Sequence, residues 1–367
     1  MARLTNIAYQ PDYAVPPGET LRETLDSLGM TQTQLAARTG LSLKTISGIV
    51  KGKEPLTPKT AIMLHRVLGI KASFWNSMEA DYRSAMAAMA ERERLQGWTG
   101  WAEKMPYKSL QQRGVLAAGL RGQDLVAALL DFFGVSSPEA WQAVWQSPQA
   151  AFRSSPAFRS SPEVVATWLR LGELDSQAIR TKSFSDVGMK KALAQARHLT
   201  NLPPTEFCPR LTEICAQSGV ALVFVPELPG LRLSGASRWL TPDKALIQLS
   251  LRYKRNDQLW FTFFHEAGHL LLHGKREIFI DGESFGQEHK EAEANIFAAN
   301  ELIPPAKLRA FLDRLGGRTP LKREAVSFAD TIGIHPGIVV GRLQRDGVIK
   351  FNQLTVLFQR LQWANPN

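Results

Sequence analysis

One segment, Asp257–His273 (DQLWFTFFHEAGHLLLH), limits what this chain can fold into more than any other. Its seventeen residues contain no proline and are rich in Leu, Phe and Ala, which predicts a buried helix. Asp257 stands where an N-cap belongs, and Gly274 follows the last turn as a C-cap glycine would. At 3.6 residues per turn, positions four apart share a face, so His265 and His269 can reach one metal ion. Glu266 points beside that ion, where a general base for a water molecule must sit. The plainer reading is an amphipathic helix with two surface histidines. The flanks FTFF and LLL are too apolar for an exposed face, however. Burying two imidazoles and a carboxylate there unsatisfied is costly, and a metal removes that cost.

A catalytic zinc takes three protein ligands and leaves one position open. The next helical run, His289–Ile303 (HKEAEANIFAANELI), is ended by Pro304-Pro305 and holds three candidate acids, Glu291, Glu293 and Glu301. Packed antiparallel to the first helix, after a loop over residues 274–288, it can bring one of them to the ion. The run Glu291–Pro304 (EAEANIFAANELIP), with the HExxH segment, resembles the ImmA/IrrE metallopeptidases, which carry HExxH followed by a motif like E-x-E-A-N-x-F-A-A-x-L-L-M-P. Here Glu301-Leu302-Ile303 replaces the more apolar run. The resemblance implies that His265, His269 and Glu293 hold Zn²⁺, that Glu291 is the fallback third ligand, that Asn295 is a helper, and that Glu266 is the catalytic base. His273, two turns from His265, reads as an outer or helix-terminal histidine rather than a ligand. For the oxyanion partner His289, Arg252 and Arg255 stay open.

Toward the N-terminus the punctuation changes. Short helices are expected at Glu19–Leu28, Thr31–Thr39, Ser42–Lys51 and Pro58–Leu68, closed by Gly29, Gly40, Gly52 and Gly69 and opened by Thr31, Ser42 and Thr57 as N-caps. The pair joined through Gly40 has a helix-turn-helix arrangement, with Leu35, Ala36, Leu41, Ile46 and Ile49 spaced to share a core. Its second helix would present Leu43, Lys44, Ser47 and Gly48 to a DNA major groove, while Gln32, Lys51, Lys53 and Lys59 reach phosphates. Residues 16–69 resemble the Xre-type DNA-binding domain, and more closely its HigA-antitoxin branch. That resemblance implies a homodimer on double-stranded operator DNA and a cognate RNase toxin, although HigA proteins end soon after this module and this chain runs on.

The remaining residues bound the answer more loosely. A formal charge of +10 permits nucleic-acid binding but is spread along the chain and does not localise it. No apolar run reaches the length of a membrane span, and the first eighteen residues lack an apolar signal core, so a cytoplasmic protein is expected. Cys208 and Cys215, seven apart on one helix, are too distant to bridge and read as core residues. Phe74–Arg94 is an amphipathic helix with Phe74, Met78, Tyr82, Ala85 and Met89 on one stripe, a core or dimer contact. A leader over residues 1–15, a linker at Ser147–Ser161 and a tryptophan-rich helical middle carry no chemistry. Runs at Val220–Pro226, Ala236–Leu240 and Lys244–Leu251 predict a small sheet before the metal helix, in the zincin manner, with an edge strand for peptide substrate. Phe328–Arg345 reads helix, turn, helix: a module closing the second half, or a second DNA reader.

The expectation is an α+β, mostly α chain. It comprises a five-helix Xre-type domain over 1–97, a helical middle over 98–200, a zincin-like domain over 201–304 with a small β-sheet and the HExxH helix, and a helical extension over 305–367. By resemblance, such a protein regulates transcription and cleaves a helix-turn-helix repressor, or itself, through a zinc-dependent endopeptidase domain. The alternative is a HigA-like antitoxin and repressor whose metal domain is a sensor or scaffold.

Overall fold

The computed structural model describes residues 14–146, 160–274, 278–280 and 288–363. The expected leader and the expected linker, except for the last two residues of each, lie outside the described residues. The chain divides into two units, residues 1–99 and 100–367.

Among the described residues, five helices build the first unit: α1 Pro17–Ser27, α2 Gln32–Thr39, α3 Leu43–Val50, α4 Pro58–Leu68 and α5 Ala72–Gln96. The expected caps operate. Thr31 and Gln34 form a reciprocal capping box on α2, and the Ser42 and Thr57 hydroxyls accept the backbone N–H of Thr45 and Thr60. Gly40 and Gly69 close α2 and α4 in the left-handed conformation, which glycine adopts without strain. Leu35, Ile46 and Ile49 are buried in one core, with Ala36 and Leu41 packed against it. On α5 the register differs from the expected stripe. Trp75 is fully buried, whereas Phe74 and Met89 are 45% and 38% exposed.

The second unit is also mostly helical. Its first part carries α6 Thr99–Ala102, α7 Tyr107–Gln112, α8 Gly122–Phe133, α9 Pro138–Trp141, α10 Pro162–Gln177, α11 Asp186–His198 and α12 Pro204–Gln217. Strands β1 Val220–Phe224, β2 Gly235–Thr241 and β3 Lys244–Leu249 follow, then α13 Asn256–Leu272, β4 Ile278–Ile280 and α14 Glu288–Leu302. Helices α15 Pro305–Leu315, α16 Lys322–Ile332 and α17 Pro336–Arg345 lead to the end. The sheet order is β1-β3-β2-β4, with β1 parallel to β3 and the other pairings antiparallel.

One expectation about this sheet needs correcting. Residues 274–288, expected as a loop, include β4, which pairs with β2. Strand β2, beside α13, is therefore flanked on both sides and is not an edge. The strand nearest the site that has an open side, among the described residues, is β4.

Helix α10, from the chemically silent middle, supports the sheet. The Trp168 indole N–H donates to the Val225 carbonyl, the Gln248 amide donates to the Trp168 carbonyl, and Lys244 donates to the carbonyls of Ser176 and Ile179. Arg238, 7% exposed, pairs with Glu173 at 3.0 Å. One core runs from Met189 through α12, the sheet and α13 to Leu343 and Leu361. Val339, Val340 and Leu343 of α17 are fully buried in it, so the Phe328–Arg345 pair serves as a packing module.

Candidate metal centre and nucleic-acid interface

Helix α13 is almost wholly buried over Leu259–Leu270, as its apolar flanks require. Cys208 and Cys215 lie on α12, both as free thiols; burial raises the Cys208 thiol to about 11 and drives Cys215 up as well. Neither belongs to the centre.

What lets α13 and α14 approach is a stripe of small residues. A Cβ on Gly268 would stand 3.0 Å from the Phe297 ring and 3.4 Å from the Ala294 Cα. On α14, Ala294 and Ala298 are fully buried and Leu302 nearly so. Glu291 precedes Ala294 by three positions and Ala298 by seven, so it shares their face. Its carboxylate accordingly reaches His265 Nε2 at 3.3 Å and His269 Nε2 at 3.4 Å. The two Nε2 atoms are themselves 3.0 Å apart.

Glu293 does not join this group. Two residues beyond Glu291, it is rotated by roughly 200° around the helix. It lies 45% exposed, 3.1 Å from His273 Nε2 and 3.4 Å from His289 Nδ1. The acid expected as fallback thus stands against the two histidines, and the one expected as third ligand lies outside the group.

The donor set fits a metal. Among the described residues, His265, His269 and Glu291 form the one cluster whose ligand atoms all lie within 4.8 Å of one another. Ligand atoms arranged tetrahedrally about zinc at bonds of about 2.0–2.1 Å stand roughly 3.3 Å apart. The imidazole nitrogens, 3.0 Å apart, and the Glu291 oxygens, Oε2 at 3.3 Å from His265 and Oε1 at 3.4 Å from His269, lie near that figure, a different oxygen facing each imidazole. Protonation agrees too. Burial holds His269 below the ordinary imidazole range, against the opposing pull of Glu291. Burial alone would raise the Glu291 carboxyl, but hydrogen bonds from His265 and His269 and their charge more than reverse this and hold it at about 2. A neutral imidazole and an ionised carboxylate are the forms that bind a cation.

Glu266 is fully buried beside this cluster, and its Oε2 accepts from the Ser237 hydroxyl at 2.7 Å. Ser237 lies on β2, and so does Gly235, where a Cβ would fall 2.5 Å from Thr262 Cγ2 and 2.8 Å from Glu266 Oε1. The glycine gives the Glu266 side chain its room. Sequence reasoning missed both residues, since no spacing rule links a strand position to a helix position 29 residues on. The open oxyanion candidates are held elsewhere. Arg255 forms a two-pronged pair with Asp257, Arg252 donates to the Arg232 carbonyl, and His289 is 86% exposed beside Glu293.

In the first unit, α3 exposes Leu43 and Lys44 at its N-terminal half, with Ser47 half-buried on the next turn. Lys51, Lys53 and Lys59 are exposed, and Gln32 is half-buried at the start of α2. Gly48 departs from the expected outward position. Its missing Cβ leaves room for the Glu54 side chain, and its carbonyl accepts the backbone N–H of Lys53 and Glu54.

Fold and site together define a helix-turn-helix domain followed by a peptidase-like domain in which two buried histidines face a half-buried glutamate. Residues 21–75 match the helix-turn-helix family model, and residues 231–324 match the IrrE N-terminal-like domain. The chain belongs to the helix-turn-helix family of transcriptional regulators, with an ImmA/IrrE-type domain fused to it. It is 31% identical over 71 residues to the uncharacterized HTH-type transcriptional regulator YddM of Escherichia coli strain K12, covering 19% of this chain and 76% of that protein. Among solved structures it is similar to an addiction module antidote protein of a HigA family from Coxiella burnetii, with 27% identity, 23% of this chain and 92% of the other covered, and a TM-score of 0.22. The Pseudomonas aeruginosa antitoxin HigA with the higBA promoter is similar at 28% identity, with 23% and 94% covered and a TM-score of 0.22.

Proposed function

We propose that this protein is a DNA-binding regulator whose second unit is a zinc-dependent endopeptidase, cleaving a helix-turn-helix repressor or the chain itself so that repression is relieved. The observation that carries the reading is the convergence of His265, His269 and Glu291 beside a buried Glu266 that Ser237 orients.

His265, His269 and Glu291 would hold the ion. A bound Zn²⁺ supplies Lewis acidity and makes water a usable nucleophile near neutral pH. The chain's own residues supply the rest. The Glu266 carboxylate takes the proton of the attacking water and returns it to the departing amine. Ser237, donating to Oε2, fixes the plane of that carboxylate. The open side of β4 offers main-chain groups to an extended peptide. In the first unit, Leu43, Lys44 and Ser47 would face base edges, with Gln32, Lys51 and Lys53 on phosphates.

The experiment incubates purified protein with itself and with the regulators encoded beside it, with zinc and with chelator. Zinc-dependent fragments that vanish in Glu266→Gln, while that variant keeps its zinc, are the expected result. A substrate left intact in every lane, alongside tight palindromic DNA binding, would replace the peptidase by a repressor with a metal-sensing domain.

A further inference from the structure

We propose that His273 and Glu293 are positioning residues for the metal centre, forming with His269 a carboxylate–histidine–histidine chain that aims and tunes one ligand. The inference rests on the metal reading above and assigns to it two residues outside the ligand set.

The chain follows from the hydrogen-bond bookkeeping of its atoms. His269 turns Nε2 toward His265 Nε2 and Glu291. Its other ring nitrogen, Nδ1, lies 3.0 Å from His273 Nδ1. A contact between two imidazole nitrogens needs one N–H and one lone pair. If Nε2 of His269 offers its lone pair to a cation, its proton resides on Nδ1. His273 Nδ1 then accepts, which puts the His273 proton on Nε2. That atom lies 3.1 Å from Glu293 Oε2, and an ionised carboxylate can only accept. Every link thus has one donor and one acceptor, all pointing the same way.

Backbone geometry sets His273 for this task. Helix α13 ends at Leu272, and His273 is extended at φ −118°, ψ 166°. Its N–H still donates to the His269 carbonyl at 3.1 Å, so the residue leaves the helix while remaining tied to the ligand it serves. The His273 side chain is 3% exposed and Glu293 is 45% exposed, so the chain runs from the buried cluster to the surface. Partners of this kind fix the tautomer and orientation of a ligating histidine and make it a better donor; removing them costs about 10–100-fold in metal affinity.

The test is a zinc titration of the full-length protein in competition with a chromophoric chelator, using zinc alone as the probe. Variants are Glu293→Gln, His273→Phe and the pair together, with the metal-free melting temperature measured for each. His273→Phe is expected to weaken zinc about 10–100-fold. Glu293→Gln should weaken it less, and the pair no more than His273→Phe alone, because both act through the same link. Should the buried His273→Phe fail to fold, Glu293→Gln at the surface end decides the matter. Zinc affinities within about twofold of the unaltered protein, or losses that only track a lowered metal-free melting temperature, overturn the proposal. An unaltered protein that takes up no zinc overturns the metal reading itself and this inference with it.

Discussion

At the scale of single residues, the site is a set of buried polar groups, each needing a partner. Glu266 is fully buried, and the Ser237 hydroxyl donates a hydrogen bond to it. Ser237→Ala should therefore lower the stability of the metal-free second unit by about 1–3 kcal/mol, read from denaturant unfolding. An unchanged unfolding midpoint would mean that the hydroxyl does not support the carboxylate. Lys44 is exposed at the N-terminal half of α3. If it reads a base edge, Lys44→Ala costs about 1–3 kcal/mol on operator DNA and little on random DNA. An equal loss on both would place it on phosphate. His265, Glu266 and His269 were legible at this scale because helical spacing alone gathers them. Glu291 was only half legible. Two acids stood close together, and the choice depended on which helix face the buried alanines occupy.

Elements are held at their contact points. Gly268 lets α13 and α14 approach, and a Cβ there meets the Phe297 ring at 3.0 Å. Gly268→Val should push the helices apart at a cost of about 1–3 kcal/mol. It should also draw Glu291 away from the histidines, so zinc affinity by chelator competition falls along with stability. Retained zinc affinity at lowered stability would separate the helix contact from the site. Helix α17 opens on His335, whose Nδ1 accepts the Gly337 N–H at 3.0 Å. Burial lowers the His335 pKa against a smaller opposing pull from Asp257. The unfolded chain therefore takes up this proton at the ordinary value of 6.5, and the folded chain only at lower pH. Stability from this cap is present above pH 6.5 and drains away as pH falls toward the lowered folded value. His335→Ser, which keeps a cap acceptor, should flatten that part of the stability–pH curve in thermal melts of metal-free protein. A curve of unchanged slope would assign it to other groups.

The chain forms two units, and among the described residues each has its own hydrophobic core: one of α1–α5 in the first, and one that includes Met189 to Leu361 in the second. Separate cores predict separate cooperative transitions. Calorimetry should resolve two, and zinc should raise only the one belonging to residues 100–367, because a ligand stabilises the unit that binds it. A single transition, or a zinc shift in both, would contradict this. The middle of the chain acquires its meaning only at this scale. Trp168, Lys244 and Arg238 link α10 to the sheet, and so to the strand that carries Ser237 and Gly235.

Local physics alone determined the caps of α2, α3 and α4, the burial of α13 and the pairing of its two histidines with an acid between them. Each depends on residues within a few turns of one another, where helix geometry leaves little choice. The tertiary structure alone decided that Glu291 rather than Glu293 faces the histidines, that Ser237 holds Glu266, and that β4 lies beyond β2. Those outcomes depend on how closely two helices and a sheet pack, which small residues distant in the chain control.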